Sequence, residues 1–132
     1  MTKDDMRVYL DAFNQKDFEG FGRFYADDVR LDVGRFVRLG RQAILDFYRD
    51  VARTCDERLT LKRIVMDEEG VAIELDTEFK ALADHPDFIA GPLTPGQSIF
   101  ITSFIFYTIR DGRFADIKAR RIAEAVHAPS TF

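Results

Sequence analysis

Apolar residues recur at helical spacing three times within the first 55 positions and at strand spacing thereafter. Met6, Tyr9, Leu10 and Phe13 fall on one face of a helix predicted over about residues 3–15, and Thr2 with Asp5 forms a capping box in which Asp replaces the usual Glu. Asn14-Gln15-Lys16 ends it. Asp17 is placed to cap a second, short helix whose Phe18, Phe21, Phe24 and Tyr25 share a stripe. Its Gly20 and Gly22 each lower intrinsic helicity by about 1 kcal/mol, so packing must hold it. Between Val29 and Leu39, Gly34-Arg35 separates two short apolar runs, which suits a tight hairpin. Ile44, Leu45, Tyr48, Val51 and Ala52 then mark a third helix from Arg41 to about Thr54.

The remainder reads as a four-strand meander: Leu59–Met66, Val71–Leu82, Ser98–Arg110 and Arg113–Ile122, with Asp111-Gly112 a strong hairpin signal. In the second of these, Val71, Ile73, Leu75, Thr77 and Phe79 alternate with Glu74, Asp76, Glu78 and Lys80, the pattern of a sheet covered on one face. The third is apolar in both phases, with Ile99, Ile101, Ile105 and Ile109 against Phe100, Phe104 and Phe106. Helices cover only one face, so the second apolar face predicts a homodimer formed through the sheet about a two-fold axis. The loop ADHPDFIAGPLTPGQ, residues 83–97, carries three of the four prolines and is expected to act as a lid or rim. Residues 1–126 are expected to form a single domain and 127–132 a frayed tail.

Composition narrows the partners. A chain of 132 residues suits one core, and 46% hydrophobic with 32% charged residues is ordinary for a globular protein. The net charge of −4 is spread along the chain and argues against nucleic acid as a partner. The lone Cys55 offers no internal disulfide, the polar start MTKDDMR has no apolar leader core, and no apolar run reaches membrane-spanning length. These features predict a cytoplasmic protein with no membrane partner.

The motifs for several chemistries are missing. His85 and His127 lie in the loop and the tail, no metal-ligand spacing occurs, and there is neither a glycine-rich phosphate cradle nor a nucleophile elbow. No metal and no cofactor are expected. Carboxylates, phenols and arginines around an apolar interior remain, and they are the groups of proton transfer. His85 is a candidate base or substrate clamp at a pocket rim, against the alternative of a solvated loop histidine.

The stretch MRVYLDAFNQKDFEGFGRFYADDVRLDVG, followed by RLGRQAILDFYRDV, resembles the opening of the SnoaL-like and ketosteroid isomerase branch of the nuclear-transport-factor-two-like superfamily. The resemblance lies in the helix ending near Asn14, in Tyr25-Ala26-Asp27-Asp28, and in Gly40 through Tyr48, and it covers about the first 55 residues closely. It implies an α+β cone: three N-terminal helices packed on a strongly curved, mostly antiparallel mixed sheet, in the order α-α-β-β-α-β-β-β-β. It further implies a cavity for a small hydrophobic molecule, with Phe13, Phe24, Tyr48, Phe79, Ile101 and Tyr107 as candidate lining residues.

Tyr9 falls where the isomerases keep a helix-one tyrosine that donates to the oxyanion; its alternative is a core phenol bonded to backbone. The isomerase base position falls on Val33, leaving Asp32 one residue away as a candidate, or as a partner of Arg30, Arg35 or Arg38. The second isomerase Asp has no counterpart near Phe104 or Ile105. Asp116 matches the later-strand base of SnoaL-like cyclases, though its parity with Lys118 and Arg120 also suits a charged outer face. Two readings of function follow. One is a cofactor-independent acid/base enzyme of isomerase, cyclase or dehydratase type acting on a hydrophobic carbonyl compound; the other is a ligand-binding or accessory module using the same pocket.

Overall fold

In the computed structural model, which describes residues 1–132, the capping box closes in both directions. Asp5 N–H donates to Thr2 Oγ1 at 3.1 Å and Thr2 N–H donates to the Asp5 carboxylate at 2.8 Å. Helix α1 runs Lys3–Asn14 and buries Met6, Tyr9, Leu10 and Phe13. The short α2, Phe18–Gly22, is capped by Asp17. Strand β1, Tyr25–Asp32, turns into β2, Val37–Leu39, through Gly34-Arg35, and the turn closes on a bond from Val33 N–H to Phe36 C=O. Gly34 takes φ +90°, which L side chains resist. Helix α3, Arg41–Ala52, is tied to β1 by Arg41, whose guanidinium donates to the Tyr25 carbonyl at 2.7 and 3.0 Å.

The four predicted strands are present as β3 Cys55–Met66, β4 Gly70–Ala81, β5 Gln97–Arg110 and β6 Arg113–Arg121. The sheet order is β2-β1-β6-β5-β4-β3, with β1 parallel to β6 and the other pairs antiparallel. Irregular registers at Leu61/Arg63, Thr108/Ile109 and Tyr25/Arg30 bend the sheet, because an extra residue on one strand sharpens local twist. Asp111 and Gly112 both adopt positive φ, as a two-residue hairpin turn requires. The result is the expected α+β cone: three helices against the concave face of a bent, mostly antiparallel sheet.

Two expectations are corrected. Strand β3 starts at Cys55 rather than Leu59, a difference that matters below. The segment expected to fray forms a seventh strand, β7 Val126–Pro129, which pairs with the N-terminal part of β5 and prolongs the line of β6. Beyond it, the Glu78 carboxylate accepts hydrogen bonds from Ser98 Oγ at 2.6 Å, Thr131 N–H at 3.0 Å and Ser130 Oγ at 3.3 Å. Burial alone would push this carboxyl up, but those bonds outweigh it and hold it below the usual range. The outer phase of β5 lies bare in the single chain: Phe104 and Phe106 on the convex side are 48% and 63% exposed.

The loop at 83–97 is pinned by backbone bonds in both directions between His85 and Leu93, and by Phe88, Ala90 and Leu93, which bury against Val51, Phe79 and Ile99. No helix is long and apolar enough to cross a membrane.

One contact sets where α1 ends. Strand β3 is a sheet edge, and Asn14 covers it: its Nδ2 donates to Leu59 C=O at 2.9 Å and its Oδ1 accepts from Leu59 N–H at 2.7 Å. The amide thus replaces one peptide of a missing neighbouring strand. Asn14→Asp loses the donor and sets an anion against a carbonyl, and we expect it to cost about 1–3 kcal/mol in denaturant unfolding. A loss below about 0.5 kcal/mol would show that the amide does not anchor the helix.

Candidate functional site

Between the helices and the concave face lies a cavity of about 360 Å³ that opens to solvent. That size falls at the lower end of small-molecule sites. Its walls are apolar because the inward phases of β3, β4 and β5 are apolar: Leu59, Leu75, Phe79, Ile101 and Ile105 all face it. Helix α1 contributes Tyr9 and Phe13 and helix α3 contributes Phe47 and Tyr48. The mouth is framed by the β1–β2 turn with Arg35 and Phe36, by Ile89 and Ala90 of the loop, and by Arg121 at the end of β6.

Glu57 is the one acidic residue in the lining. It shares the inward phase of β3 with Leu59, and its strand partner is Phe79. No side chain donates to its carboxylate. Lys16, which would be the obvious partner, donates instead to the Glu57 backbone carbonyl and pairs with Asp56 at 3.1 Å. Burial pushes the Glu57 carboxyl up to about 7, and the Lys16 charge offsets only part of that. A carboxyl that titrates near neutrality can take up and release a proton there.

Three phenols, Tyr9, Tyr48 and Tyr107, line the same cavity, and Tyr25 lies behind Tyr9. Tyr9 and Tyr25 are buried with their hydroxyls 2.8 Å apart, and either is able to donate. The Tyr9 ring meets Phe21, Phe24, Tyr25, Tyr107 and Phe114 edge to face, which fixes its position. Burial raises Tyr9, Tyr25, Tyr48 and Tyr107 above the ordinary phenol range, so all four stay neutral donors. The charge on Glu57 adds to the rise at Tyr25 and Tyr48.

Of the residues singled out from sequence, Tyr9, Phe13, Tyr48, Phe79, Ile101 and Tyr107 line the cavity. Phe24 lies outside it, stacked on Phe114. Asp32 points to the outer side, where Arg120 bonds both its oxygens at 3.1 Å and Gly34 N–H donates at 2.9 Å. These contacts, the Arg120 bond first, hold it below the usual carboxylate range. Asp116 faces Arg30 at 3.5 Å and Lys118 at 3.9 Å on the convex face. His85 sits 3.2 Å from Thr54 Oγ1 with its ring against Phe88, away from the lining. Val33 does line the cavity, as an apolar side chain. Nowhere do three His, Cys, Asp or Glu side chains converge as metal ligands would.

Glu57 itself escaped the sequence reading. The signal was present: Cys55, Glu57, Leu59 and Leu61 alternate, with one acid in an otherwise apolar phase. Starting the strand at Leu59 removed that acid from its phase.

Several solved structures share this architecture. A candidate polyketide cyclase from Xanthomonas campestris superposes with a TM-score of 0.73 at 20% identity, covering 87% of this chain and 85% of its own. An epoxide hydrolase from M. tuberculosis gives 0.72 at 15%, covering 88% and 78%. A protein with a ketosteroid isomerase-like fold from Catenulispora acidiphila, solved in complex with trimethylamine, gives 0.70 at 11%, covering 90% and 85%. At these identities the likeness is one of fold. No curated protein sequence matches the chain. The family model described as the SnoaL-like domain matches residues 6–117, most of the chain, and the protein belongs to that family.

Proposed function

We propose that the cavity performs cofactor-independent proton transfer on a hydrophobic carbonyl compound, with Glu57 as the base and Tyr9 as the donor to the enolate oxygen. The observation that carries this reading is the unpartnered Glu57 carboxyl inside an apolar hollow. Ionised, it is poorly solvated and lacks protein donors, so taking a proton from carbon α to a carbonyl relieves an unfavourable charge. The negative charge then moves to the substrate oxygen. Either hydroxyl can donate in the Tyr9–Tyr25 bond; the proposed step uses the arrangement in which Tyr25 donates, which leaves the Tyr9 proton to meet that oxygen, and both rings are packed in place. Tyr48 and Tyr107 line the same wall space as further neutral donors.

A second reading has its own support. Fifteen of the 21 lining residues are hydrophobic, which suits a module that holds an apolar ligand without turnover. Exchange of α-protons of acetylnaphthalene in heavy water, followed by NMR, separates the two. The enzyme reading expects exchange that rises with pH through about 7 and then levels, since only ionised Glu57 accepts a proton. Glu57→Gln should lower the rate at least about 100-fold, and Tyr9→Phe about 10-fold or more with little change in binding. Binding with no exchange above background selects the module.

We also propose a homodimer through the convex sheet face. Phe104 and Phe106 stand exposed there beside Val65, at 47% exposure, and Ala72, with Lys118 and Arg120 as their strand partners on the other side. An apolar centre with a charged border suits a self-complementary contact. Sedimentation at micromolar concentration should give a dimer that Phe106→Lys converts to monomer; a wild-type monomer refutes the assignment.

A further inference from the structure

The mouth of the cavity is unlike its interior. Arg35 and Arg121 both line it, and neither has a carboxylate partner within salt-bridge distance, so two free guanidinium groups stand at one opening. Arg35 makes a single bond, to the Ile89 carbonyl at 2.7 Å, which fixes its stem at the rim and leaves donors free. The Arg121 side chain makes no hydrogen bond, though it sits on the inward phase of β6 opposite Ser103. Arg38 adds a third positive charge close by, its guanidinium 4.2 Å from the Phe36 ring centroid and 5.5 Å from that of Phe47, both lining residues. The acid whose field reaches Arg121 is Glu124, which forms no ion pair with it.

We infer that the ligand of this cavity carries a carboxylate at its outer end, held between Arg35 and Arg121, with an apolar body reaching inward toward Glu57. Two unpaired guanidinium groups at one rim repel each other, and an anion bridging them relieves that repulsion while supplying acceptors for their free N–H groups. Partial desolvation at the cavity wall and the neighbouring Arg35 weaken the Arg121 proton affinity more than Glu124 restores it, as for a cation without its counter-ion. Arg121 on β6 is in register, through Ser103 and Leu75, with Leu61 of β3, four residues along that strand from Glu57. No arginine is among the groups that shift Glu57. An anion at the mouth therefore leaves the base in its apolar setting, whereas the same anion deep inside would oppose ionised Glu57.

The inference rests on reading the cavity as a ligand site and adds the charge and orientation of what enters. Binding of naphthoate and of neutral naphthamide, two probes of the same shape, is measured by fluorescence on the wild type, on Glu57→Gln and on Arg35→Gln/Arg121→Gln. Both arginines are exposed, so the double variant should keep the wild-type circular dichroism. Naphthoate should bind the wild type at least about tenfold more tightly than naphthamide. The preference should shrink as ionic strength rises from about 0.05 to about 0.5 M. It should survive in Glu57→Gln and vanish in the double arginine variant. Equal binding of the two probes to the wild type overturns the inference while leaving the cavity reading intact, as does a preference that persists in the folded double variant. Binding of neither probe overturns both.

Discussion

A carboxyl group inside an apolar hollow, with no donor side chain in reach, is the constraint on which the rest of this structure turns. Water stabilises an ionised carboxylate far better than hydrocarbon does, so Glu57 is held near the point where its two forms balance. That balance is built by architecture rather than by a neighbouring charge. The backbone around Glu57 is clamped from outside by Asn14 on Leu59 and by Lys16 on the Glu57 carbonyl. The cation that could neutralise the side chain is thus spent on the main chain and on Asp56. Deleting the bends in the sheet would flatten the concave face and let the helices close over the space that Glu57 enters.

The same arrangement explains why the phenols matter only together. Tyr9 is the aromatic hub of the core, and its hydroxyl would be an ordinary buried polar group satisfied by Tyr25 were it not also on the cavity wall. The hydroxyl pair shares one bond between two protons, and only with Tyr25 as its donor is the Tyr9 proton left for a group that enters. Arg41 on the Tyr25 carbonyl extends this chain of support to α3, so a residue at the start of the third helix helps fix the hydrogen-bond partner of Tyr9. Members of one fold differ in such details rather than in strand order, and for that reason the family assignment alone does not name a reaction.

Much of the fold was legible because periodicity is a direct readout of burial. The capping box at Thr2, the helical stripes, and the turn at Asp111-Gly112 each state a local geometry that the structure adopts. The alternation in β4 announced its inward face correctly. The site was less legible, for two physical reasons. The run Cys55-Asp56-Glu57-Arg58 looks like a polar loop, since three adjacent charges carry no β signal, and only the register with Phe79 shows Glu57 turned inward. Asp32, by contrast, sits beside the position that the resemblance favours, yet the strand's two-residue period sends it to Arg120 on the opposite face. The tail was misread because a proline and small polar residues suggest fraying, while its order comes from a buried Glu78 more than 50 residues earlier.

Titrating the Glu57 side-chain carboxyl by carbon NMR, with the resonance assigned from its disappearance in Glu57→Gln, goes to the centre of this account. A midpoint close to 7 is the predicted result. A midpoint near the ordinary glutamate value of about 4.3 would mean that the carboxylate is solvated or paired in solution, and the proposed base would lose its physical basis.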